Sequence, residues 1–180
     1  MDRAQLEQCI EDYGKDIYAF CSRMAVNRQE AEELYQDTFL KAVELDSKID
    51  YENNPKSYLA SIAMRLWKNR KRKYAWRQRI AAMKQFIDEE ALKDGDDETD
   101  VQENPVEESW LEKERKIQVR EAVAALDEKY RIPVYLYYTM QLSIPEIARL
   151  MKIPEGTVKN RLYHARSMLR PKLEVVWNEF

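Results

Sequence analysis

Glycine is scarce in this sequence, with three residues in 180, where an average protein has about 7%. A chain so poor in the residue that tolerates positive φ and close backbone approach argues against turn-rich β folds and glycine-rich phosphate loops. Histidine occurs once, at position 164, and cysteine twice, at Cys9 and Cys21. No zinc ligand set and no nucleophile–histidine pair can be assembled from them, so the chain reads as a protein without catalytic residues, metal or cofactor. If the two cysteines share one helix they stand about 18 Å apart, beyond the roughly 7 Å reach of a disulfide, and are expected as buried free thiols. Long apolar runs are also missing, and Met1-Asp2-Arg3-Ala4-Gln5 lacks the basic start and apolar stretch of a secretory signal. The cytosol is the expected location.

What the chain does contain is helix-forming residues and charge: 35% of it is Asp, Glu, Lys or Arg, yet the net charge is only -3. The fold class expected is all-α. The near-neutral total conceals a sharp segregation, because residues 1–52 carry a net -7, residues 53–87 a net +10, residues 88–114 a net -11 and residues 115–180 a net +5. Two basic blocks separated by an acidic one point to two places that meet a polyanion.

Leu6, Cys9, Ile10, Tyr13, Ile17, Phe20, Cys21 and Met24 recur at helical spacing, with Gly14 a candidate bend. Asn27 and Glu30 form a capping-box pattern that opens a second helix. Its apolar stripe is Ala31, Leu34, Tyr35, Thr38, Phe39, Ala42 and Val43; its other face carries Glu33, Gln36, Asp37, Lys41 and Glu44. Residues 46–57 read as a loop, and Pro55 suits the first turn of a third helix. There Leu59, Ile62, Ala63 and Leu66 keep the apolar period, opposite a stripe of Ser61, Arg65, Lys68 and Arg72. The run Arg70-Lys71-Arg72-Lys73 follows, with Trp67, Tyr74 and Trp76 interleaved. Cations with aromatics between them suit nucleic acid, since each base stacked on an aromatic ring contributes about 1 to 3 kcal/mol; Trp67 equally suits the core.

Residues 88–109 are acidic and nearly free of aromatics, and are expected as a flexible linker between two small helical domains, 1–87 and 110–180. In the second domain Trp110–Leu126 is helical by pattern, and residues 132–139 are expected to start a short helix at Pro133. Ser143 with Glu146 is another capping box, opening a helix with Ile147, Ala148, Leu150 and Met151. After the turn Lys152-Ile153-Pro154 comes a helix with Val158, Leu162, Ala165 and Leu169 inward and Lys159, Asn160, Tyr163, His164, Arg166 and Arg170 outward. Two short helices, a tight turn and a basic second helix make a helix-turn-helix, whose second helix lies in the major groove.

Three stretches together resemble a known family. They are Ala31-Glu32-Glu33-Leu34-Tyr35-Gln36-Asp37-Thr38-Phe39; Tyr58 to Ala63 running into Arg65 to Lys73; and Glu146-Ile147-Ala148 with Gly156-Thr157-Val158-Lys159-Asn160-Arg161-Leu162 and Ala165-Arg166. Their order and spacing are similar to those of an extracytoplasmic-function (ECF) sigma factor of bacterial RNA polymerase. The resemblance implies an initiation factor that binds core polymerase and directs promoter recognition and opening. Residues 1–87 would bind the polymerase clamp helices and the melted -10 element, and residues 110–180 the -35 duplex beside the polymerase flap. By the same resemblance Glu33, Gln36, Asp37 and Lys41 dock on polymerase. Ile49, Arg65, Lys68, Arg72 and Trp67 serve the -10 element, Arg65 meeting either a base or a phosphate. Lys159, Asn160, Tyr163 and His164 match base-reading positions, and Thr157, Arg161 and Arg166 phosphate-holding ones. The resemblance also implies control by an anti-sigma factor, which in relatives is often membrane-bound. The alternative is a stand-alone helix-turn-helix regulator, for which a long dimerisation helix or an apolar ligand pocket would be expected.

Overall fold

The computed structural model describes the backbone of residues 3–45, 54–85 and 110–178, with side chains placed for 7–45, 54–80 and 112–174. The chain divides into two compact units, Met1–Val101 and Gln102–Phe180. Every regular element among the described residues is helical. The acidic tract of residues 88–109 and the loop holding Ile49 lie outside them.

The first unit packs three helices around one core. α1 (Arg3–Met24) lies against α2 (Arg28–Glu44) and α3 (Pro55–Gln85), and α2 lies against α3. Ile17, Phe20, Leu34 and Leu59 are fully buried, each contributing about 1.5 to 3 kcal/mol by leaving water. α1 runs unbroken through Gly14, so that residue is no break; it is where the Tyr35 side chain of α2 packs against α1. A Cβ on Gly14 would stand 3.0 Å from the Tyr35 hydroxyl. Tyr35 in turn meets Tyr18 and Phe39 edge to face, with ring centroids 5.6 and 5.0 Å away.

The start of α2 follows its sequence pattern. The Asn27 side chain accepts from the Glu30 N–H at 2.8 Å, while the Glu30 carboxylate reaches one residue further back and accepts from the Val26 N–H at 2.8 Å. Before α3, Asn54 takes a positive φ of 53°, which asparagine tolerates. Its side chain accepts from the Ser57 N–H at 3.3 Å and Pro55 occupies the first helical position. Lys56, on the same turn, forms an ion pair with Asp16 of α1.

In the second unit, α4 (Trp110–Ala124), α5 (Glu128–Val134) and α6 (Ile144–Met151) pack against the long α7 (Glu155–Asn178). Pro133 does not start its helix, contrary to the sequence expectation. α5 opens at Glu128, where the Asp127 carbonyl accepts from the N–H groups of Tyr130 and Arg131 at 2.8 and 2.9 Å. The sequence signal for this start is the acidic pair Asp127-Glu128, which suits the positive end of the helix dipole. Pro133 sits inside the helix and is buried. The chain then widens into a π-helical turn, Tyr135–Thr139, closed by the Met140 N–H on the Tyr135 carbonyl at 3.0 Å. That turn leaves Tyr135 and Leu136 in the core and turns Tyr137 and Tyr138 outward.

The Ser143 pattern also holds, with the Glu146 carboxylate accepting from the Ser143 N–H at 2.7 Å and from its hydroxyl at 2.6 Å. Lys152 ends α6 in the left-handed region at φ 57° and ψ 46°, and α7 begins three residues later. Val158, Leu162, Ala165 and Leu169 are buried as their spacing predicts.

Candidate nucleic-acid and partner-binding surfaces

Three surfaces carry the expected site residues other than Trp67 and Ile49, two on the first unit and one on the second. On α2, Glu33, Gln36, Asp37 and Lys41 all face solvent, because they occupy the helical positions opposite Ala31, Leu34, Thr38 and Ala42, which are buried. Two apolar residues join them. Leu40 is 63% exposed and Val43 36%, so Val43 belongs at the edge of this face and not in the core stripe where its spacing had put it. Leu40 was missed altogether; an apolar residue midway between Asp37 and Glu44, off the core period, was the available signal.

The acids of this face are organised. Lys41 pairs with Glu44 at 2.6 Å. Arg70 of α3 pairs with Asp37 at 2.6 Å and with Glu33 at 3.5 Å. Beneath them Cys21 is buried beside Thr38, and its thiol is pushed up to about 12, chiefly by desolvation, against smaller opposing effects of the Thr38 hydrogen bond and the Arg70 charge. Such a thiol is not ionised near neutral pH and is not a nucleophile. Cys9 is likewise buried and is not part of a disulfide.

Along α3, Arg65, Lys68 and Arg72 are exposed and form the outward stripe that the spacing predicts. Trp67 is not on it. The indole is 6% exposed, packed in the core with the Lys71 ammonium 5.3 Å from its ring centre, which leaves no open face for a base. The aromatic surfaces that are open are Tyr74 and Trp76, each 63% exposed. Residues 71–79 are exposed on every side and include Lys71, Arg72, Lys73, Arg77 and Arg79 without an acid among them. Ile49 lies outside the described residues.

On the second unit, α7 brings its expected residues together. Lys159, Asn160, Tyr163, His164 and Arg166 are exposed, and Thr157 and Arg161 half-buried at the flanks. Among the described residues neither Lys159 nor Arg166 has an ion-pair partner within the protein. The His164 ring meets Tyr163 edge to face at 5.7 Å and Tyr130 of α5 at 6.3 Å, and the Lys129 ammonium lies 4.8 Å from the Tyr130 ring centre. Gly156 stands in open space, with nothing within 4 Å of where a Cβ would be.

Comparison with known proteins matches both units. Residues 9–77 match the family described as Sigma-70 region 2, and residues 116–169 the family described as Sigma-70, region 4. The ECF RNA polymerase sigma factor SigW of Bacillus subtilis (strain 168) is 28% identical over 183 residues, covering 96% of this chain and 90% of the relative. The RNA polymerase sigma factor HrpL of Pseudomonas syringae pv. syringae is 25% identical over 172 residues, covering 95% and 88%. In fold, the chain is similar to the sigma factor RpoE from Bartonella quintana, solved with the anti-sigma factor NepR. That match has a TM-score of 0.70 at 21% identity over 95% of this chain and 98% of that one. It is also similar to CnrH, solved in complex with the cytosolic domain of CnrY, with a TM-score of 0.64 at 16% identity over 97% and 90%. With a region 2 match on the first unit and a region 4 match over the helix-turn-helix of the second, this chain belongs to the sigma-70 family as an RNA polymerase sigma factor of the ECF type.

Proposed function

We propose that this sigma factor docks on core RNA polymerase through the outer face of α2, with Glu33, Gln36, Asp37 and Lys41 as its polar contacts and Leu40 as an apolar one. The basic stripe of α3, Arg65, Lys68 and Arg72, meets the opened -10 element, and Ile49 belongs to the same reading. Taking a base out of the duplex stack costs a few kcal/mol; the open rings of Tyr74 and Trp76 offset part of that cost, and Trp67 acts through the core. On the -35 duplex, Lys159, Asn160, Tyr163 and His164 address base edges while Thr157, Arg161 and Arg166 hold phosphates. Phosphate contacts set register and affinity, and base contacts set sequence choice.

The observation that carries this reading is the face of α7: exposed Lys159, Asn160, Tyr163, His164 and Arg166, the two cations without an ion-pair partner among the described residues, opposite the buried apolar row Val158, Leu162, Ala165 and Leu169. Control by an anti-sigma factor belongs to the same proposal, supported by the similarity to RpoE, which was solved with the anti-sigma factor NepR. A protein that works with core polymerase in this way acts in the cytoplasm; no helix among the described residues is long and apolar enough to cross a membrane.

Reconstitution tests the proposal. The full chain is mixed with core polymerase and a library of promoter fragments, and run-off transcripts are sequenced. The expected result is co-elution with polymerase and transcription from a defined promoter class, with weak duplex binding by the chain alone. Tight sequence-specific binding without polymerase, and no transcript when both are present, would favour the stand-alone regulator.

A further inference from the structure

Arg70 is the member of the basic run Arg70-Lys71-Arg72-Lys73 that does not face outward. Its side chain is 26% exposed and crosses to α2, where one guanidinium nitrogen meets Asp37 Oδ2 at 2.6 Å. The other lies 3.5 Å from Glu33 Oε2 and donates to the Glu30 carbonyl at 3.5 Å. A planar guanidinium can serve three acceptors at once in this way, which a lysine ammonium on a flexible stem does not reproduce. Glu33 and Asp37 are four residues apart on one helix face, and like charges at that spacing repel. Arg70 offsets the repulsion from below, and the two carboxylates still keep 55% and 50% of their surface open.

We infer that Arg70 is a positioning residue of the polymerase-docking face, holding Glu33 and Asp37 together as one two-carboxylate acceptor for a cationic side chain of the partner, and that it is thereby withdrawn from DNA. The inference rests on the proposed docking role of α2. It divides the basic run into two roles, since Lys71, Arg72 and Lys73 face outward while Arg70 sets the geometry of a neighbouring acidic surface. Nothing in the residue types of the run distinguishes the two.

A double-mutant cycle on affinity for core polymerase tests it, with Arg70→Ala, Asp37→Ala and the pair, each checked for native helical content. Arg70→Ala is expected to weaken binding about fivefold, the loss typical of a part-covered charge pair. The double variant should be no more than about twofold weaker than Asp37→Ala, because coupled residues are not additive. Arg70→Lys should recover only part of the loss, and it replaces Arg70→Ala in the cycle if the alanine variant does not fold. The salt slope of promoter binding by the reconstituted holoenzyme should not change. Full additivity, or a fall in that slope of about one, the mark of a lost phosphate contact, would overturn the inference. If Asp37→Ala weakens binding and Arg70→Ala does not, the inference fails alone; if Asp37→Ala has no effect, the docking role of α2 fails with it.

Discussion

Two surfaces, one on each unit, carry their charge in opposite ways. In the first, acidic α2 and basic α3 lie side by side, and Arg70 ties one to the other through Asp37 and Glu33. In the second, Lys159 and Arg166 point away from an apolar core and meet no carboxylate among the described residues. The difference separates a surface whose shape is set within the protein from one that is completed only by its ligand. A pre-paired acidic face suits a protein partner of fixed geometry, while unpaired cations suit phosphates, whose binding releases counterions and weakens steeply with salt.

The sharpest way to break the comparison is to reverse a charge on the organised face. Asp37→Arg places a second guanidinium against Arg70 and should cost about 2 kcal/mol of polymerase affinity, roughly 30-fold. Competition against a labelled sigma factor measures it, with circular dichroism showing that the helices remain. Promoter fragments binding the chain alone should be indifferent to the change. A loss in that second assay would blur the distinction between the two surfaces.

Alkaline pH should separate the units next, because both cysteines belong to the first. Burial raises the Cys21 thiol from 9.0 to about 12, so the folded state holds the proton more tightly than the unfolded chain. Stability from this group is therefore complete below about pH 9 and declines as pH rises toward 12, by at most about 1.4 kcal/mol per pH unit. Tyr35 also has a raised pKa through burial, so the measurement is the difference between the wild-type chain and Cys21→Ala in urea titrations across that range. A parallel decline in both proteins would remove Cys21 as the cause.

On the open surface the expected effects are about 1 kcal/mol. Arg166→Ala should weaken binding to all -35 sequences alike and lower the salt slope by about one, whereas His164→Ala should change the preference at one base and leave the slope alone. Fluorescence anisotropy with matched and mismatched duplexes distinguishes them. The smallest effect is at Gly156, where a Cβ meets nothing. Gly156→Ala should stabilise the second unit by about 0.5 kcal/mol through helix propensity and, if a phosphate backbone approaches this turn, weaken duplex binding at the same time.

These contrasts were unevenly visible in the sequence. Helix starts with a side-chain signature, at Asn27, Pro55 and Ser143, were legible because the capping chemistry is local. The inward row of α7 was legible because a helix buried on one side has one period. The start of α5 was not, since Pro133 is a strong signal for a helix beginning while the actual start rests on an acidic first turn and backbone bonds at Asp127. Trp67 was ambiguous for a related reason: an indole between cations suits a base and a core equally, and only packing decides. Arg70 could not be read at all, because its partners lie 33 and 37 positions away on another helix and nothing in a basic run marks which member turns inward.

The length of α3 has a mechanical consequence. Its first half is clamped by the core through Leu59, Ala63 and Trp67, while residues 71–79 project with solvent on all sides. The helix is a cantilever, and its free half is held by its own backbone hydrogen bonds and by local contacts such as Gln78 to Tyr74, against the mutual repulsion of its cations. Isolated helical turns of that length are marginal in water. On the proposed -10 role, an anionic strand lying along the free half would do two jobs at once, neutralising the cations and stiffening the beam, so that gripping the promoter and steadying the helix would become a single event.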